Sequence, residues 1–168
     1  GSQIIGENSD NIRRFLKMWE LFENIIYYFS YGYDYKPRKN AASYAKAIGK
    51  KLRITRTSKK GYTQFKNFYH WINYFKKMQD SKLQGINFGN FKGYENDLDN
   101  TIEIRCPNGS LDLIIWQNNI NFFTRLLLKS HEENCDEELI DYLLTKKEAF
   151  EYDLKNFNQI KKWRRNQW

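Results

Sequence analysis

Apolar residues recur at three- and four-residue spacing in several stretches of this chain, and that period outlines most of the expected structure. Ile12, Phe15, Leu16, Trp19, Phe22, Ile25, Ile26 and Phe29 predict an amphipathic helix over about 10–30, opened by the capping candidates Asn8, Ser9 and Asp10. Good helix formers between Ala41 and Ala47 predict a shorter helix over about 40–50. Residues 50–61 have no apolar period and are dense in Lys, Arg, Thr and Ser, which predicts a loop with one short extended piece at 52–55. Helical spacing returns from Tyr62 to Met78 through Phe65, Phe68, Tyr69, Ile72 and Phe75.

The pattern then changes to period two. Ile86 and Phe88, followed by the glycines up to Gly93, predict a short strand and a turn, and 94–100 reads as an acidic turn. Thr101 to Cys106 alternates as a strand, with Ile102 and Ile104 facing a core and Glu103 and Arg105 sharing the opposite face. Pro107-Asn108-Gly109 is a turn signal. Leu111 to Lys129 is apolar on more than one face, which predicts a deeply packed helix with Asp112 near its start. A further helix opens at Asp136 or Glu137 with acids in its first turn and runs to about Phe150; 151–168 reads as a polar helical tail. The expected fold class is α+β: about five helices packed on a small antiparallel sheet, as one domain over 3–150 and a basic helical tail over 151–168.

Charge changes this picture because it is segregated. The net charge of +8 conceals a block from Lys36 to Gln79 with 13 Lys or Arg and no acid. From Glu95 to Asp153 there are 14 acids and 5 bases, and the tail is basic again at Lys155, Lys161, Lys162, Arg164 and Arg165. Such blocks create extended potentials that attract polyanions or pair with one another. The aromatic content of 17% falls mostly at helical spacing, which predicts a core built from large rings. Cys106 and Cys135 lie far apart, which fits a reducing, cytoplasmic setting better than a disulfide framework. Two histidines and two cysteines without clustered spacing argue against structural zinc. No apolar run approaches the roughly 20 residues of a membrane span.

Two constellations carry candidate chemistry. Glu103 and Arg105 set a carboxylate and a guanidinium side by side, with Asn108 and Ser110 in the turn beyond. They are either solvent-facing residues of an edge strand or a site that grips a cation and a carboxylate or phosphate. The second is the run Lys50, Lys51, Arg53, Arg56, Lys59 and Lys60, with Tyr62, Lys66, Tyr69 and Trp71 after it. It is either a solvated loop paired with the acidic half, or an electrostatic nucleic-acid contact with rings for bases.

Thr101-Ile-Glu-Ile-Arg-Cys-Pro-Asn-Gly-Ser-Leu111 and the apolar helix after it resemble the late strand motif of the amidoligases. These are carboxylate–amine ligases related to glutamine synthetase. The helix from Ile12, the Arg38-Lys-Asn-Ala-Ala-Ser-Tyr-Ala-Lys46 stretch and Gly85-Ile-Asn-Phe-Gly-Asn90 are similar to preceding parts of that family, in order, over about 11–129. The resemblance implies a partial glutamine-synthetase-like architecture. It makes Glu103 a catalytic Mg²⁺ ligand, Arg105 a catalytic anion binder, and Arg38 and Asn108 substrate-binding groups. It implies ATP and Mg²⁺ as cofactors of an intact ligase that phosphorylates a carboxylate and passes the acyl group to an amine. The family's paired acids and His-x-His strand precede these motifs and have no counterpart here. The expectation is therefore a C-terminal portion that needs a missing N-terminal segment and has no cofactor or catalysis alone. The competing expectation is a non-catalytic, basic protein of a mobile element, for example an anti-CRISPR-type inhibitor, that binds nucleic acid or a nucleoprotein through Lys50, Lys51, Arg53, Arg56, Lys59 and Lys60.

Overall fold

In a computed structural model of the protein, the described residues are 8–32, 45–78, 84–90, 101–132 and 135–165. They form five α-helices and a two-stranded antiparallel sheet. The chain divides into two compact units, Gly1–Cys135 and Asp136–Trp168. No helix of the described residues is long and apolar enough to cross a membrane.

Helix α1, Ser9–Ser30, is the spine of the first unit. Asn8 caps it by accepting from Asp10 N at 2.8 Å. Its stripe of Ile12, Phe15, Leu16, Trp19 and Ile26 is at most 2% exposed, and each such side chain stabilises the fold by about 1.5–3 kcal/mol. Helix α4, Leu113–His131, lies against α1. Trp19 stacks on Phe123 at 6.3 Å and Phe29 meets Phe122 at 4.8 Å between ring centroids. Arg14 Nε donates to the Ser130 carbonyl at 2.8 Å, serving one of the carbonyls that a helix end leaves without an intrahelical partner. At the other end of α4, Asp112 accepts from Ile114 N at 2.8 Å.

Helix α2, Gly49–Arg56, begins where a side chain of α1 tells it to. The Glu23 carboxylate accepts from Ile48 N and Gly49 N, each at 2.8 Å, and from Trp19 Nε1 at 3.0 Å. A Cβ at Gly49 would press on Glu23 Oε2 and shift that carboxylate from its donors. A 3₁₀ turn, Gly61–Gln64, leads to helix α3, Phe68–Met78, where Asn67 Oδ1 accepts from His70 N at 3.1 Å.

Strands β1, Ile86–Asn87, and β2, Glu103–Ile104, pair Ile86 with Ile104 and Asn87 with Glu103. Two such short strands are unstable alone; here Phe88 stacks on Phe75 of α3 at 3.9 Å, with the ring planes 7° apart. Upstream, Gly85 N donates to Lys46 O at 2.9 Å and Gly85 O accepts from Arg105 N at 2.7 Å. The Tyr27 hydroxyl occupies the space a Cβ at Gly85 would take, and it donates to Ala45 O at 2.8 Å.

Burial raises the Tyr27 and Tyr62 hydroxyls well above the ordinary tyrosine value of 10.0, with the nearby Glu23 and Tyr74 adding respectively to each. Above pH 10 the unfolded chain releases these two protons while the folded chain keeps them. The folded state then binds more protons, so stability falls as pH rises. The urea midpoint is expected to hold up to pH 10.0 and to drop beyond it. Replacing both tyrosines by phenylalanine should lower the midpoint at neutral pH but flatten the alkaline slope; a slope as steep as the parent's would refute burial as its cause.

The second unit is helix α5, Glu137–Arg165. Asp136 Oδ1 accepts from Leu139 N at 2.8 Å at its start, with Glu137 and Glu138 in the first turn. The helix passes residue 150 without a break. The side chains of the basic tail, Lys155 to Arg165, lie outside the described residues.

Four expectations need correction. Residues 45–48 are not helical, and the helix starts at Gly49 instead, because its amide donors are met by Glu23. The expected loop over 50–61 is largely α2, an eight-residue helix that buries only Leu52 and so shows no period. The expected deep packing of α4 holds for Phe123 and Leu127, whereas Leu113, Ile114, Trp116 and Ile120 are exposed. Only the stripe toward α1 is covered. The helix expected from Tyr62 is interrupted at 65–67, between the 3₁₀ turn and α3.

Candidate functional site

Strand β2 brings Glu103 and Arg105 to one face, as their spacing of two predicts, and the two side chains touch. Arg105 Nε donates to Glu103 Oε1 at 2.7 Å and Arg105 Nη2 to Oε2 at 2.8 Å. This is the fork-to-carboxylate geometry that guanidinium groups use for carboxylates and phosphates. Across the sheet, Asn87 Nδ2 donates to Glu103 Oε2 at 2.9 Å. Both carboxylate oxygens are therefore engaged. The pair is not sealed in: the Glu103 side chain is 44% exposed and that of Arg105 23%. Ile102 and Ile104, on the other face, pack against the core.

Asn108 takes a place that sequence did not suggest. Its N–H donates to Ser30 O at 3.0 Å and its Nδ2 to Tyr31 O at 3.1 Å, so it ties the turn after β2 to the C-terminal end of α1. Ser110 Oγ accepts from Asp112 N at 3.0 Å and supports the start of α4. The two residues position the strand–turn–helix unit. Arg38, the second expected anion binder, lies outside the described residues.

The basic block divides into structural and exposed groups. Arg56 Nε and Nη2 donate to the two oxygens of Glu20 at 3.0 and 2.8 Å, with the side chains 15% and 5% exposed. Lys51 Nζ donates to Met78 O at 2.8 Å and joins α2 to the end of α3. Arg53 is half-buried. Lys50, Lys59 and Lys60 are exposed, as are Lys66, Lys76 and Lys77 further on.

One of these lysines, Lys77, lines an open groove of about 550 Å³ between α2 and α3. Phe65 and Tyr74, with ring centroids 4.7 Å apart, form its aromatic side. His70, Asn73 and Lys77 line it from α3, and Ile54, Ser58 and Gln64 from the other side. The Tyr74 hydroxyl donates to Thr55 Oγ1 at 2.9 Å. Burial raises its pKa, opposed by that hydrogen bond. The sequence signal was present but unread: His70, Asn73 and Lys77 recur at three- and four-residue spacing, a single polar stripe on α3. Asn87 was missed for a different reason, since only strand register sets it opposite Glu103.

The β2 face already holds one anion, the Glu103 carboxylate, on the Arg105 fork. It offers a metal less. Glu103 is one carboxylate with both oxygens engaged, and among the described residues no three of His, Cys, Asp or Glu gather. Glu103 alone does not make a Mg²⁺ site for ATP. No protein-family model, curated protein or solved structure matches this chain.

Proposed function

We propose that this chain carries the late strand–turn–helix portion of a carboxylate–amine ligase of amidoligase type, and that Arg105 binds the carboxylate or phosphoryl group of its substrate. The observation that supports this reading best is the Arg105 fork closed on the part-exposed Glu103 carboxylate. In that arrangement Glu103 stands where a substrate anion would sit. An incoming carboxylate or phosphate takes over the fork, and Glu103 is released beside it. Asn87 then remains as the donor that holds the freed carboxylate on the sheet. Mg²⁺ and ATP would supply phosphoryl activation of the carboxylate, and further acids from beyond the described residues would have to complete their site.

The reading is tested on the protein at its full natural length, by phosphate release from Mg²⁺-ATP in the presence of carboxylate and amine substrates. Removing a charge that meets the transition state lowers turnover by about 100-fold or more, and that loss is expected for Glu103→Gln and Arg105→Gln separately. A parent protein that releases no phosphate and binds no nucleotide sinks the proposal.

A second reading has its own support. Six exposed lysines, Lys50, Lys59, Lys60, Lys66, Lys76 and Lys77, lie in a segment without an acidic residue. A surface of this kind binds nucleic-acid backbones through counterion release.

A further inference from the structure

We propose that the groove between α2 and α3 receives one nucleotide unit of a single-stranded nucleic acid, base inward and phosphate toward Lys77. The inference rests on the nucleic-acid reading of the exposed lysines and deepens it. Three features of the groove point to this ligand. Phe65 and Tyr74, half-buried with ring centroids 4.7 Å apart, line the groove with aromatic surface against which any base can pack. Asn73 is exposed on α3 and offers an amide donor and acceptor, the complement of a base edge. Gln64 Nε2 is spent on Gly61 O at 2.7 Å, which leaves its Oε1 as an acceptor.

His70 adds a donor. Its Nδ1 accepts from Lys66 N at 3.3 Å, so the neutral ring carries its proton on Nε2. Lys77 sets a cation on the groove wall. Aromatic faces, amide edges and a cation together match a base with its phosphate. A duplex fits poorly, because its bases are stacked and paired and cannot enter a side groove. A volume of about 550 Å³ suits one or two bases.

The test is fluorescence anisotropy with a labelled single-stranded DNA of about ten nucleotides, titrated at several salt concentrations. Asn73→Ala removes hydrogen bonds from an exposed helix position and changes no charge. It is expected to raise Kd about fivefold, the effect of roughly one hydrogen bond, with the salt dependence unchanged. The double variant Lys59→Glu and Lys60→Glu should raise Kd and also flatten the salt dependence. If Asn73→Ala binds like the parent while the lysine variant is weakened, the groove is refuted and the lysine surface stands. If the parent fails to bind the strand at low salt, the groove and the nucleic-acid reading fall together. Displacement of the strand by AMP at equal nucleotide concentration would reassign the groove to a free nucleotide.

Discussion

Replacing Glu23 by alanine is expected to remove about 4 kcal/mol of stability, from two or three hydrogen bonds to a charged acceptor at about 1.5–3 kcal/mol each and partial relaxation of the site. The Glu23 carboxylate is 7% exposed and accepts from Trp19 Nε1, Ile48 N and Gly49 N. The last two belong to the start of α2, where amide dipoles favour a negative charge. Alanine leaves all three donors in a space too confined for ready hydration. Glu23→Gln keeps the shape and one acceptor oxygen, and should lose about half as much. Urea denaturation of parent and variants measures both. A loss under about 1 kcal/mol, the size of a single ordinary cap, would contradict this account.

Arg56→Met is expected to cost about 3–5 kcal/mol, the usual effect of removing one partner of a buried ion pair. Glu20 is 4% exposed, and it loses both bonds of the guanidinium fork. Adding Glu20→Leu should recover most of the loss, since well-packed apolar residues often replace such a pair without penalty. A double-mutant cycle reads the coupling directly. If the double variant is as unstable as Arg56→Met, the pair is not what Arg56 contributes. The same measurement bears on binding, because an arginine paired with a carboxylate as buried as Glu20 is withdrawn from phosphate contacts. Arg56→Met should change nucleic-acid affinity only through the fraction of protein folded.

These two sites also show where sequence reading stopped. Helices α1 and α4 were legible because each repeats its period over many turns. Helix α2 was not: it has eight residues, buries Leu52 alone, and takes its cap from a residue 25 positions away. Isolated helices of that length are unstable in water, so only tertiary contact makes one here. The shared face of Glu103 and Arg105 followed from period two. The duty of Asn108 at the end of α1 did not, since a contact across 77 positions leaves no local trace. Arg56 carried the same ambiguity, because a basic residue in a basic run does not announce a partner 36 positions earlier. The excess of apolar residues on α4 was visible, but composition does not say which face finds a neighbour.

The exposed side chains of α4, with Ile25 and Tyr28 of α1 also at the surface, bear on how the protein behaves in a test tube. At low ionic strength its charge of +8 keeps molecules apart. Added salt shortens that repulsion to about 8 Å at 0.15 M and leaves the apolar side chains to attract one another. The familiar remedy of raising salt to keep a basic protein dissolved would then work in reverse, and concentrated stocks would keep best in dilute buffer.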